Sequence, residues 1–160
     1  MFLLKIIDAL DRANLDYAVA GGYAVSLHGA IRGTLDVDLI IRQVESDYVA
    51  VEAVLRNLDL RPHLPVTAVD VFRFRREYME KRNVKAWSFS NPDSPSELVD
   101  ILIAHDLRKI KTKKILFRTH KISIVALSDL IRIKKISNRP QDLADVEALE
   151  HIKKLSRGGK

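Results

Sequence analysis

The sequence predicts an α+β domain: a small mixed sheet with flanking helices and a short C-terminal helical lobe. Two patterns and a length carry that expectation. Strand-like runs rich in β-branched residues are interleaved with helical periodicity, but without the regular strand–helix repeat of a doubly wound sheet. The last two periodic stretches, after residue 126, are both helical. The chain has 160 residues, 47% of them hydrophobic and 30% charged. That is enough to bury one core without staples.

The elements follow in order. Leu3, Leu4, Ile6, Ile7, Leu10 and Leu15 repeat at helical spacing opposite Lys5, Asp8, Asp11 and Arg12, so the chain opens with an amphipathic helix. Tyr17 to Ala20 reads as a strand, Gly21-Gly22 as a turn, and Tyr23 to His28 as a short helix. Thr34 to Ile41 begins with apolar residues alternating with carboxylates and ends uniformly apolar, as a strand entering a core does. Val44 to Leu58 is helical, Asp59 to Pro65 is a loop or edge strand with two prolines, and Val66 to Arg82 is expected to be one basic helix. Lys85 to Ser90 and Leu98 to Ile103 read as strands around the polar turn Asn91 to Ser96. Asp106 to Lys114 is expected to be a basic helix, Lys121 to Val125 a strand, and helices start at Ser128 and Pro140. The organisation expected is a core over 1–126, a helical lobe over 127–156 packed on it, and a basic tail over 157–160.

Composition removes several function classes. There is no cysteine, which excludes disulfide frameworks, thiolate metal sites and cysteine nucleophiles. No apolar run approaches the roughly 20 residues that span a bilayer, so no membrane partner is expected and a cytoplasmic location is. The five histidines show neither metal-ligand spacing nor a hydrolase order with serine and aspartate, and His28 reads as a residue shaping its loop. Lysine and arginine exceed aspartate and glutamate by six, a balance that attracts polyanions such as nucleotides or RNA or simply solvates helix faces. Two basic stretches stand out: Arg73 to Lys85 with interleaved aromatics, and Arg108 to Lys114.

The carboxylates carry the chemistry. Asp36 and Asp38 are two apart on a strand, so both point to one face. Side by side near a core they repel, and a divalent cation is the common device that needs two carboxylates at that spacing. Taken alone the two would pass as surface aspartates at a strand end. Asp100 interrupts the buried-looking Leu98–Ile103 strand, with Val99, Ile101 and Ile103 on its opposite face. A salt bridge to lysine or arginine would also explain it. If the two strands are neighbours, three carboxylates converge in an arrangement able to hold two Mg²⁺ ions for phosphoryl or nucleotidyl transfer. Gly21-Gly22 lets backbone N–H groups approach a phosphate, and Arg32 and Thr34 could add a guanidinium and a hydroxyl at the same mouth.

These residues resemble a known family. Gly21-Gly22-x-Ala24, His28-Gly29, Arg32-x-Thr34 and Asp36-x-Asp38 are similar to the signature of the DNA polymerase β type nucleotidyltransferase superfamily, in the Gly-Gly branch of minimal and abortive-infection toxin-like enzymes. The resemblance runs from about Tyr17 to Leu149. It implies that Gly21 and Gly22 line a triphosphate and that Asp36 and Asp38 bind both metal ions, Mg²⁺ or in its place Mn²⁺. It also implies that Asp100 is the third carboxylate, binding one metal and activating the acceptor hydroxyl. Lys134, followed by Arg139, Asp142 and Asp145, is similar to a lysine-then-Arg-x-x-Asp segment in which the lysine faces the phosphates. A glycine stands where the family commonly has serine after the first glycine, and no separate acceptor-binding domain is evident.

The function expected is transfer of a nucleoside monophosphate from a nucleoside triphosphate to a hydroxyl of RNA, protein or a small molecule, with Arg32 and Lys134 steadying the phosphates. A cognate toxin or antitoxin partner goes with that branch. The alternative is a non-catalytic relative serving as antitoxin, regulator or RNA-binding module.

Overall fold

Leu3, Ile6, Ile7 and Leu10 recur at three- and four-residue spacing, so a helix collects them on one stripe. In the computed structural model, which describes residues 1–159, that helix is α1 (Phe2–Arg12) and all four side chains are fully buried. The chain passes into β1 (Ala18–Val19), turns at Gly21 into α2 (Gly21–Leu27), and comes back antiparallel to β1 as β2 (Val37–Ile40). Helix α3 (Glu45–Asn57) leads to β3 (Arg61–Pro62), an edge strand, where the missing N–H of a proline is tolerated. Helices α4 (Ala68–Arg73) and α5 (Arg75–Arg82) precede a hairpin of β4 (Ala86–Asn91) and β5 (Ser94–Leu102). A 3-10 turn at Leu107–Lys109 precedes a second hairpin, β6 (Thr112–Phe117) and β7 (His120–Val125). Helices α6 (Leu127–Ser137) and α7 (Pro140–Gly158) complete the chain.

The seven strands form one mixed sheet in the order β3-β4-β5-β2-β1-β7-β6, with β2 parallel to β5 and β1 parallel to β7. The alternation of strand side chains divides the core in two. On one face Val37, Leu39, Trp87, Phe89, Val99 and Ile101 pack with α1, α3 and α4. Tyr48 stacks on Trp87 at 5.9 Å between ring centroids, and Phe89 meets Trp87 edge-on at 4.6 Å. Such aromatic contacts add about 1 kcal/mol each beyond area burial, which makes a rigid bed beneath β4 and β5. On the other face Ala18, Ala20 and Ile40 pack with α2, α6 and α7. Asp38 and Asp100 belong to this second face.

Three sequence expectations are corrected. The basic helix expected over 66–82 is two helices. A capping box between Thr67 and Asp70 starts α4, whose helix ends at Phe74, half exposed. Helix α5 fully buries no residue and reaches the core only through the partly buried Tyr78 and Met79, so it does not extend the buried stripe of α4. The basic helix expected over 106–114 is only the 3-10 turn, followed by β6. There the lysines' helix propensity yields to residue-by-residue pairing with β7, from Thr112 opposite Val125 to Phe117 opposite His120. Ile115 and Phe117 alternate onto the core, and Arg118, at φ 54°, helps close the two-residue turn. Finally, α7 continues through Gly158, into the basic tail expected over 157–160, whose last residue, Lys160, lies outside the described residues.

Candidate active site

Asp38 and Asp100 sit opposite one another on adjacent parallel strands, in register between Val37↔Val99 and Leu39↔Ile101. The apolar neighbours of each fill the aromatic core, so both carboxylates are forced to the other face. Burial first, and the charge of Asp100 second, push Asp38 up to about 7. Burial likewise raises Asp100, opposed by the Ser88 hydroxyl, which donates to its Oδ1 at 2.5 Å. Asp36 lies one residue before β2, exposed, and its charge raises both. Among the described residues no three acidic or imidazole groups already stand together as a metal cage. What the chain offers is two hard oxygen donors in register, both lifted first by burial, and a third carboxylate within electrostatic reach. Hard donors with uncompensated charge suit a divalent cation such as Mg²⁺.

The glycines are explained by contact. Gly21 has φ +57°, and a Cβ there would fall on the Asp38 carboxylate. Its left-handed turn brings the chain from β1 into α2 directly over that side chain. A Cβ on Gly22 would lie 2.8 Å from Thr34 Cβ. Thr34 is therefore packed on the second glycine, within the linker that carries Asp36. The same linker is pinned at Arg32, whose carbonyl accepts from Ser26 Oγ at 2.5 Å. His28 fastens the end of α2, its Nε2 lying 2.8 Å from the Val125 carbonyl.

Arg32 and Lys134 meet in a buried network. Lys134 is 5% exposed, and its Nζ donates to Asp142 Oδ1 at 3.0 Å and Asp145 Oδ2 at 2.8 Å. Arg32 Nε donates to Asp145 Oδ1 at 3.1 Å, and Arg139 Nε to Asp142 Oδ2 at 3.0 Å. The two aspartates are 1% and 2% exposed. Three cations share two anions, leaving one positive charge. Its field reaches the carboxylates: Lys134 and Arg139 lower Asp38, and Arg139 lowers Asp100.

Sequence reasoning missed Ser88 and His63. Ser88 stands opposite Asp100 on β4, and the His63 charge lowers Asp100. Counting outward from the hairpin turn at Pro92-Asp93, where Asn91 faces Ser94, would have placed Ser88 opposite Glu97; the register shift at Ser90/Asn91 sets it opposite Asp100 instead.

No protein-family model and no curated protein matches the chain. Solved structures do. The chain is similar to the lincosamide antibiotic adenylyltransferase LnuA in its lincomycin-bound structure, at TM-score 0.65 and 13% identity, over 94% of this chain and 96% of that one. It is similar to the antibiotic-resistance factor ANT(2'')-Ia at TM-score 0.62 and 14% identity, over 98% and 90%. An antigenic nucleotidyltransferase-like protein from Paracoccidioides brasiliensis aligns at TM-score 0.56 and 18% identity, over 92% and 74%. The chain has the nucleotidyltransferase fold. Among the described residues no helix is long and apolar enough to cross a membrane.

Proposed function

We propose that the protein is a nucleotidyltransferase that moves a nucleoside monophosphate from a nucleoside triphosphate to an acceptor hydroxyl. One observation carries the reading: Asp38 and Asp100 share a register across β2 and β5, directly beneath the left-handed Gly21. That puts paired carboxylates and bare backbone at one point, the minimum needed to hold a triphosphate beside an acceptor. The fold shared with an adenylyltransferase supports it.

Asp36, Asp38 and Asp100 would hold Mg²⁺, with Mn²⁺ able to replace it. When bound, the ion would neutralise charge on the phosphates and lower the pKa of the acceptor hydroxyl. Gly21 and Gly22 let the backbone reach the triphosphate, and Thr34 adds a hydroxyl at its edge. Arg32, Lys134 and Arg139 supply the net positive charge that faces the phosphates, held in place by Asp142 and Asp145. Asp100, its carboxyl raised by burial, accepts the proton of the attacking hydroxyl. The hydroxyl oxygen bonds to the α-phosphorus as the bond to the β-phosphate bridging oxygen breaks, and pyrophosphate leaves.

The acceptor class is RNA, protein or a small molecule, and a cognate toxin or antitoxin partner fits the Gly-Gly signature. The exposure of Asp36 favours the second reading, a non-catalytic antitoxin, regulator or RNA-binding module. One experiment separates them. Wild type and Asp36→Ala/Asp38→Ala are incubated with each α-labelled triphosphate, Mg²⁺, and total cell RNA and protein. Label transferred by wild type and lost in a folded double variant is expected; equal labelling by both would reject the assignment.

A further inference from the structure

The charge of this chain is not spread evenly. Residues 106–121 contain seven lysines and arginines and one aspartate, which accounts for the whole net charge of +6; the rest of the chain holds twenty cations against twenty carboxylates. In the fold this segment is the 3-10 turn and the β6–β7 hairpin at one edge of the sheet. Arg108 is paired with Asp106 at 2.8 Å. Lys109, Lys111, Lys113, Lys114, Arg118 and Lys121 are all exposed and, among the described residues, none has a carboxylate within salt-bridge distance. Solvation of a helix face does not explain this, because the segment is not a helix.

The surplus adjoins a concavity. Lys114 and Lys121 lie on one face of the hairpin and line a cleft of about 390 Å³. Arg42, paired with Asp47 at 2.7 Å, and Arg108 also line it, as do Asp11 and Asp16. Thr112 and Ser123 add hydroxyls to the lining. This is the sheet face that bears Asp38 and Asp100, at the opposite end of the strands: Arg42 follows β2, whereas Asp36 precedes it.

We propose that the β6–β7 hairpin and this cleft dock an RNA strand. The two unpaired lysines of this concave, hydroxyl-lined groove, continued by the other unpaired cations of the hairpin, match a phosphodiester chain carrying 2′-hydroxyls. A flat bilayer surface cannot enter the cleft, and Leu116, 72% exposed, is the only large exposed apolar side chain of the hairpin, too little for a protein interface core. The inference rests on the reading above only for its consequence, that the docked RNA is the acceptor.

The test measures RNA binding without any triphosphate, by fluorescence anisotropy of an end-labelled single-stranded RNA over a range of salt. Each phosphate contact adds about −0.7 to the slope of log affinity against log salt. Lys114→Gln/Lys121→Gln should therefore flatten the slope by about 1.4 and weaken binding roughly 15-fold near 0.15 M salt. The control Arg76→Gln/Arg82→Gln changes net charge equally on α5, away from the hairpin, and should leave both values unchanged. Circular dichroism checks that both variants fold, which is expected because all four side chains are exposed. Retained RNA binding by Asp36→Ala/Asp38→Ala, which removes any transfer, would support the docking surface independently of the reaction. Three results would overturn it: equal weakening by the control pair, equal affinity for DNA of the same sequence or for phosphatidylserine vesicles, or no RNA binding by about 100 µM, the weak end of non-specific affinity.

Discussion

Replacing Lys134 with methionine keeps the buried stem and deletes the ammonium that bridges Asp142 and Asp145. Removing one partner of a buried ion pair costs about 3–5 kcal/mol, because the remaining charge is left unpaired. Here each aspartate keeps a guanidinium, Arg139 for Asp142 and Arg32 for Asp145, so the lower end, about 3 kcal/mol, is expected. For a chain of this size each kcal/mol moves Tm by about 2–4 °C, which gives a fall of about 6–12 °C at pH 7. The pH dependence adds a second signature. Burial alone would lift Asp142, but hydrogen bonds from Lys134, Arg139 and Ser137 outweigh it and hold the carboxyl at about 2, against 3.8 for an ordinary aspartate. A folded pKa below the unfolded one stabilises above about pH 4, and that contribution, on the order of 2 kcal/mol, is lost as pH falls toward 2. The deficit of Lys134→Met should therefore shrink between pH 4 and pH 2.5. Thermal melts followed by circular dichroism would show both effects. A Tm loss under about 3 °C at pH 7, or a loss of the same size at pH 2.5, would refute the reasoning.

Three further outcomes follow from the site. Because Asp38 is pushed up to about 7, its ionisation opposes folding, and the metal-free protein should lose on the order of 4 kcal/mol as pH rises from about 4 to 7. Asp38→Asn removes that cost while removing activity; in chelator it should melt higher than wild type at pH 8 and equally at pH 4, and an equal or lower melt at pH 8 contradicts the burial argument. Ser88→Ala deletes the hydroxyl that opposes the rise of Asp100, so the acid limb of the transfer rate should move to higher pH while the fold is kept. An unmoved limb would remove Asp100 from the role of proton acceptor. Gly22→Ser should destabilise the protein, because its Cβ would meet Thr34 Cβ at 2.8 Å. Thr34→Ala should not rescue it, since that Cβ remains, whereas Thr34→Gly should; melts of the three variants decide.

Some of this was legible in the sequence because it depends on short-range periodicity. The apolar residues flanking Asp38 and Asp100 decided which face those two carboxylates take whatever the topology, whereas Asp36 lies before β2 begins, so the two-residue alternation does not reach it. That β2 and β5 are neighbours was not legible, since their parallel pairing joins residues about sixty apart and nothing local encodes it. Strand β6 was hidden for a different reason. Lysine favours a helix in isolation, and only the pairing with β7 makes the alternation of Ile115 and Phe117 decisive. The network of Arg32, Lys134, Asp142 and Asp145 was visible as charges, but not as partners, because Arg32 and Asp145 are more than a hundred residues apart.

The second glycine shows how a departure from a motif can be read once contacts are known. From the sequence, Gly22 in place of serine is a loss, one hydroxyl fewer beside the phosphates. In the fold the missing side chain is filled by Thr34, whose Cβ occupies the space a Cβ at residue 22 would need. Thr34 also carries a hydroxyl, 3.0 Å from that same Cβ position. Thr34 thus sets a hydroxyl beside Gly22 from the linker between α2 and β2, and the linker is clasped to α7 through Arg32 and Asp145. Position 22, position 34 and the buried ion network thus form one mechanical unit. The destabilisation by Gly22→Ser and that by Asp145→Asn should then be less than additive, because each frees the same linker. Additive losses in a double-mutant cycle would show that the glycine and the clasp act separately.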